Sequence, residues 1–285
     1  MKLAGKVALV TGGGRGIGKA IARAFAAEGA QLVLAARSEQ QLESTAAELR
    51  RETGVRCLAH RCNVSDPGEV QRLVDAARAA LGRIDVLVNS AGTYGPIGLL
   101  TDCDPDEWRR AIEVNLLGTV YASRAVLPLF HGLGGGRILN LAGAGIGGPS
   151  VTPRISAYAA SKAAVVQFTE SLAKEVAPWN VQVNAIAPGA VTTEITEAVI
   201  AAGPERAGRE FYQRNVQQME QGGDPPELAA RLAVHLASDE CKLTGKLLSA
   251  KWDRLDAIDE SRVNRASLFA LRRIDGVLFA EVGKP

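Results

Sequence analysis

The apolar positions of this chain fall into short, nearly continuous runs. Lys6-Val7-Ala8-Leu9-Val10, Ile84-Asp85-Val86-Leu87-Val88 and Val181-Gln182-Val183-Asn184-Ala185-Ile186 are examples. A strand buried between two layers is apolar on both sides, so such runs read as interior parallel strands. The pattern predicts strands at 6–10, 31–35, 56–60, 84–88, 136–141, 181–186 and about 245–249. Longer mixed stretches between them predict helices at about 16–29, 39–53, 67–81, 105–130, 156–176 and 226–238. This alternation predicts an α/β fold, a doubly wound parallel sheet of about seven strands with helices on both faces. Right-handed crossovers then put a ligand at the carboxyl ends of the strands. Residues 1–248 read as one domain. Within it, residues 190–225 carry Gly203, Pro204, Gly222, Gly223, Pro225 and Pro226 and are expected to form a mobile lid over a substrate. Residues 249–285 read as a C-terminal extension, packed on the domain or on a subunit interface.

Composition narrows the class. With 285 residues, 47% hydrophobic, the chain can bury a large core. A net charge of +2 gives no broad electrostatic case for nucleic acid or an anionic membrane surface. Cys57, Cys62, Cys103 and Cys241 lack metal-ligand spacing, so no metal is expected. Sparse cysteine suits a reducing compartment. The first strand begins at once, which leaves no room for a signal peptide. No apolar run reaches the roughly 18 residues of a membrane span. A cytoplasmic location is the expectation.

Candidate chemistry enters at two places. Thr11-Gly12-Gly13-Gly14-Arg15-Gly16-Ile17-Gly18 joins the first strand to the first helix. Glycines let the backbone approach a pyrophosphate, and the helix N-terminus favours its charge. Tyr158 and Lys162 lie four apart in Ser156-Ala157-Tyr158-Ala159-Ala160-Ser161-Lys162, on one face of a predicted helix. A nearby ammonium favours the phenolate and is expected to lower the tyrosine pKa toward a useful acid–base range.

The two motifs together resemble the short-chain dehydrogenase/reductase family, a single-domain Rossmann-type fold. Further segments carry the same resemblance. Asn89-Ser90-Ala91-Gly92 follows a strand, as the family's Asn-Asn-Ala-Gly does. Asn115, in Glu113-Val114-Asn115-Leu116-Leu117-Gly118, stands at the family's catalytic asparagine. Pro188-Gly189 follows a strand, with Val191 and Thr193 just beyond. The resemblance covers about residues 3–248. It implies interconversion of a secondary alcohol and a ketone with a nicotinamide dinucleotide. Tyr158 is then the acid/base, Lys162 lowers its pKa and binds the nicotinamide ribose, and Asn115 supports the proton relay. Gly12, Gly14, Arg15, Gly16, Ile17 and Gly18 would form the pyrophosphate site. Asn63 and Val64 would lie near the adenine, Asn89, Ala91 and Gly92 near the adenine ribose, and Pro188, Gly189, Val191 and Thr193 at the carboxamide. A polyol, a sugar derivative, a keto-ester or a steroid-like ketone would each suit these motifs. The helices at 105–130 and 156–176 resemble those that pair between subunits in the family, which implies a homotetramer, or failing that a homodimer. Leu268, Phe269, Leu271 and Ile274 could extend that contact as an apolar stripe.

Two departures matter. An acid at the end of the second strand grips the ribose hydroxyls of NAD and repels a 2′-phosphate. Here Ala36 stands at that place and Arg37 follows, which favours NADP over NAD. Arg15 adds a second positive charge. Asn63 replaces the family's usual aspartate near the adenine. The other departure is the catalytic serine. Where the family reads Asn-Ile-Ser-Ser, this chain reads Asn140-Leu141-Ala142-Gly143. Ser150 and Thr152 are candidate replacements from the following loop, and Ser156 is expected to cap the tyrosine helix. The missing hydroxyl leaves a second reading open, a dinucleotide-binding protein with little turnover. A serine at 142 or 143 is expected to restore a donor.

Overall fold

The computed structural model describes residues 1–143, 145–146, 151–253, 258, 260 and 263. Seven strands form the sheet: β1 (Val7–Thr11), β2 (Gln31–Ala36), β3 (Cys57–Arg61), β4 (Val86–Asn89), β5 (Gly136–Leu141), β6 (Val181–Ala187) and β7 (Leu247–Ser249). All pairings are parallel, in the order β3-β2-β1-β4-β5-β6-β7. The winding direction reverses between β1 and β4, so the crevice for a ligand opens above those two strands.

Nine α-helices cover the sheet among the described residues. They are α1 (Gly16–Ala27), α2 (Glu39–Thr53), α3 (Pro67–Leu81), α4 (Pro105–Ile112), α5 (Gly118–Leu133), α6 (Ser156–Glu175), α7 (Glu194–Ala207), α8 (Arg209–Gln221) and α9 (Pro226–Ala237). Strand residues point alternately to the two sides, and two cores result. Ala8, Val10, Leu32 and Leu34 pack with Ile21 and Phe25 of α1 and Leu232 and Leu236 of α9. Leu9 and Val33 pack on the other side with Leu73 and Val74 of α3 and Val126 and Phe130 of α5. Caps fix the helix starts. Asp66 accepts from the Gly68 and Glu69 amides at 2.7 and 3.0 Å, and Asp104 from the Asp106 amide at 2.8 Å.

The sequence pattern and the structure differ at three places. The single helix expected over 105–130 is two helices joined by a π-helical turn, Glu113–Leu117, centred on Asn115. A π turn is a common device for re-aiming a side chain at a functional site. The expected lid, 190–225, is mostly helical, because α7 and α8 flank Gly208. Gly203 and Pro204 kink α7 and hide its periodicity in the sequence. Ser156 does not cap α6. Ile155 holds that position, and the Ser156 hydroxyl accepts from Trp108 Nε1 at 3.1 Å. The stripe Leu268–Ile274 and Ser150 lie outside the described residues.

Candidate active site

The glycine turn is built by close approach. Thr11 Oγ1 accepts from the Ser90 and Ala91 amides at 3.1 and 3.3 Å, tying the end of β1 to the chain leaving β4. Gly12 has φ 67°, and a Cβ there would stand 2.9 Å from the Ala91 nitrogen. A Cβ on Gly18 would overlap the Gly12 carbonyl. Only glycine therefore lets α1 start this close to β1.

The turn opens onto a cavity of about 980 Å³. Gly12, Gly14, Arg15, Gly16, Ile17 and Gly18 line it, with Ala36 and Arg37 from the end of β2 and Asn63 and Val64 beyond β3. Ala91 and Gly92 line it beyond β4, and Thr193, Glu194 and Glu197 close it from the start of α7. Its size suits a cofactor. The backbone cradle that a Cβ would fill and the helix N-terminus together fit the pyrophosphate of a dinucleotide. Arg15 reaches across the mouth to pair with Glu194, and Thr193 Cγ2 would meet a Cβ on Gly16 at 3.3 Å. Burial and the neighbouring Arg37 lower the Arg15 pKa, with Glu197 opposing.

Four expected contacts lie elsewhere. Asn89 does not line the cavity. Its side chain turns into the core, where Nδ2 donates to Asn140 Oδ1 at 2.9 Å and Ser123 Oγ at 3.3 Å. Asn89 ends β4 with its side chain on the buried side, so the backbone after it is what meets the cavity. Pro188, Gly189 and Val191 also fall outside the lining. A Cβ on Gly189 would strike Asp224, and the Ala190 amide donates to Asp224 Oδ2 at 2.8 Å, so this turn is fastened to the segment between α8 and α9.

Tyr158, Lys162 and Asn115 stand behind the inner wall of the cavity rather than on its surface. A Cβ on Gly92 would lie 3.3 Å from Asn115 Oδ1 and 3.7 Å from Lys162 Nζ. Helix α6 does present Tyr158 and Lys162 together, with Nζ 5.9 Å from the ring centre. Lys162 Nζ donates to the Leu141 carbonyl at 2.7 Å. Asn115 is fully buried and acts as a clasp. Its Oδ1 accepts from the Thr93 amide at 2.8 Å, and Nδ2 donates to the Thr93 carbonyl at 2.8 Å and Ser161 Oγ at 2.9 Å. Ser161 Oγ in turn donates to the Tyr158 carbonyl at 2.7 Å.

The electrostatics run against the sequence expectation. Burial raises the Tyr158 pKa, with neighbouring Tyr94 adding to the shift, and Lys162 is not among the causes. Lys162 is itself desolvated, which lowers its pKa to about 8. The physical reason is the cover. Tyr94 packs edge-on against Tyr158 with ring centres 4.5 Å apart, and Phe211 of α8 packs on Tyr94 at 6.5 Å. Two buried groups that cannot be charged cheaply do not stabilise one another as ions.

The serine position is also resolved. Gly143 lies against the Tyr158 ring, and a Cβ there would overlap the phenolic oxygen. Ala142 faces the other way, into an apolar group with Val166 and Ala185. Thr152 is half-buried in the loop before α6. Sequence reasoning missed Thr93, Tyr94, Phe211 and Glu194, which no motif marks, and gave Ser161 no role. Cys241, for which the sequence showed no metal-ligand spacing, shares a cluster with His235 and Glu260 whose donor atoms lie within 4.8 Å of one another. There Glu260 accepts from His235 Nε2 at 3.2 Å and the Lys242 amide at 2.7 Å, which fastens the extension to α9. Trp252 is exposed, with Lys251 Nζ 5.0 Å above its ring.

Known proteins resemble this chain in sequence and fold. The short chain dehydrogenase family model matches residues 6–202. An uncharacterized oxidoreductase of Staphylococcus aureus (strain USA300) is 40% identical over 196 residues, 69% of this chain and 82% of its own length. The oxidoreductase UcpA of Salmonella typhimurium (strain LT2) is 39% identical over 249 residues, 86% of this chain and 92% of its own. Among solved structures, NAD+-bound xylitol dehydrogenase superposes with a TM-score of 0.79 at 31% identity, covering 87% of this chain and 98% of its own. With the seven-stranded parallel sheet, the glycine turn at the β1–β4 switch point and the family match over two-thirds of its length, this chain belongs to the short-chain dehydrogenase family of oxidoreductases.

Proposed function

We propose that the protein interconverts a secondary alcohol and a ketone, with NADP(H) preferred over NAD(H). The observation that carries this reading is the pairing of Tyr158 and Lys162 directly behind Gly92, the inner wall of the cavity. Gly12, Gly14, Gly16, Ile17 and Gly18 would hold the pyrophosphate, and Arg15 and Arg37 the 2′-phosphate, since Ala36 offers no repelling acid. Asn63 and Val64 would flank the adenine. Ala91 and Gly92 would border the ribose, and Thr193 the nicotinamide end. When bound, the nicotinamide supplies or takes the hydride.

The protein's own task is the proton. Tyr158 Oη donates it to the ketone oxygen, or removes it from the alcohol. Lys162 lies close enough to stabilise the phenolate once solvent or substrate relieves its desolvation. The clasp of Asn115 on Thr93 and Ser161 fixes the wall beside both. A homotetramer, built through α4–α5 and α6, accompanies this reading, and so does a cytoplasmic setting. No helix among the described residues is long and apolar enough to cross a membrane.

A second reading, a dinucleotide-binding protein with little turnover, is favoured by Gly143, which offers no hydroxyl to the substrate oxygen. Losing one such donor costs roughly 100- to 1,000-fold in comparable sites. One experiment separates the two. Stopped-flow oxidation of NADPH is followed across a ketone panel for wild type, Tyr158→Phe and Gly143→Ser. The enzyme reading expects slow but definite turnover in wild type, none in Tyr158→Phe, and NADPH binding retained in both. Gly143→Ser is expected to lower turnover at least tenfold, because the new Cβ displaces the phenol rather than adding a donor beside it. Wild-type rates equal to those of Tyr158→Phe would favour the binding protein.

A further inference from the structure

Tyr158 is packed among mostly apolar side chains. Ile97, Ile155, Val199, Tyr94 and Phe211 pack around it as a separate apolar cluster, away from the main cores. Tyr94 lies edge-on to Tyr158 at 84°, and Phe211 edge-on to Tyr94 at 73°. Burial pushes the Tyr94 phenol up to about 12, so this ring is neutral. Polar side chains at the edge are already engaged. Asn215 Nδ2 donates to the Phe211 carbonyl at 2.7 Å, Trp108 to Ser156 at 3.1 Å, and the Asn115 amide to Thr93 and Ser161. The charged group beside the aromatic wall is exposed Arg214, whose guanidinium covers the Phe211 ring at 5.4 Å.

We propose that the substrate is an apolar, ring-bearing ketone or the matching alcohol, taken up between Tyr94 and Phe211, and that Phe211 sets this preference. The proposal rests on the oxidoreductase reading of Tyr158. A polyol would bring several hydroxyls against this wall, where the phenols of Tyr94, Tyr158 and Tyr212 are too few to replace the water that all of them would give up. A flat apolar ring instead replaces the edge-on contacts that Tyr94 and Phe211 make with each other. The resemblance to xylitol dehydrogenase therefore extends to fold and not to substrate.

Calorimetry on the protein saturated with NADP+ measures ketone binding without turnover, and NADPH oxidation measures turnover separately. The probes are 2-tetralone and D-xylulose. We expect 2-tetralone to bind at least tenfold more tightly than D-xylulose. Phe211→Ala should weaken 2-tetralone at least tenfold, Phe211→Leu should restore most of that loss, and D-xylulose should respond to neither. That pattern with turnover supports both the substrate class and the oxidoreductase reading. The same pattern without turnover supports the apolar site and overturns the oxidoreductase reading. Failure of 2-tetralone to bind, tighter binding of D-xylulose, or an unchanged 2-tetralone affinity in Phe211→Ala overturns the substrate class, whichever compound is turned over.

Discussion

At the scale of single residues, Lys162 shows how a site can oppose stability. It is buried, and desolvation holds its pKa near 8, below the ordinary lysine value. Between about pH 8 and 10.5 the unfolded chain therefore binds the proton that the folded chain has released. Stability then rises with pH across that window, and the full penalty is present below it. The size is up to about 3 kcal/mol by the usual conversion. We expect Lys162→Met to be more stable than wild type at pH 7.5, with the gap closing toward pH 10. Urea denaturation at both pH values checks this, and a gap independent of pH would show that the lysine is not desolvated in solution. The motif Tyr158-x-x-x-Lys162 was legible in the sequence because helical spacing alone puts both on one face. The sign of their electrostatics was not, since it depends on Tyr94, 64 positions upstream of Tyr158, and on Phe211 from the lid.

At the scale of elements, helix α7 is tied to the cavity through its first residue. Glu194 pairs with Arg15 across the mouth. A 2′-phosphate would have to compete with this carboxylate for the same guanidinium. We expect Glu194→Gln to tighten NADPH several-fold and NADH much less, because only NADPH needs Arg15 free. Fluorescence titration of both cofactors measures the difference. Equal tightening would mean that the pair acts as a lid latch with no part in cofactor choice. The α7–α8 pair also explains a limit of pattern reading. Gly203, Pro204 and Gly222 are helix breakers in sequence, yet here they mark kinks and ends of helices rather than loop. The π turn at Asn115 is equally invisible, because its cause is a long-range clasp on Thr93 and Ser161.

At the scale of the whole molecule, the extension beyond β7 is anchored. Val263 is buried in the core beside α9, and Glu260 accepts from His235 and the Lys242 amide. Ending the chain after Asp253 would expose that patch and leave His235 and Lys242 without this partner. Loss of one buried valine and these hydrogen bonds should cost about 2–4 kcal/mol. We expect a lower thermal midpoint by calorimetry and, by light scattering, an oligomeric state unchanged from wild type, because α4–α5 and α6 are untouched. A truncated form that becomes monomeric would place the subunit contact on the extension instead.

The sequence by itself determined the sheet, its parallel strands, the glycine turn and the place of the tyrosine and lysine. Those features follow from local rules: apolar runs for buried strands, glycine for close backbone approach, and four-residue spacing for one helical face. Even the chemical blank at Gly143 was visible as a missing hydroxyl. The tertiary structure alone decided what faces each of these groups. It turned Asn89 into the core, filled the space beside Gly143 with the phenol of Tyr158, and laid Tyr94 and Phe211 over it. Burial and partner identity are sums over residues far apart in the chain. No local pattern contains them, and they set the pKa values and the shape that a substrate meets.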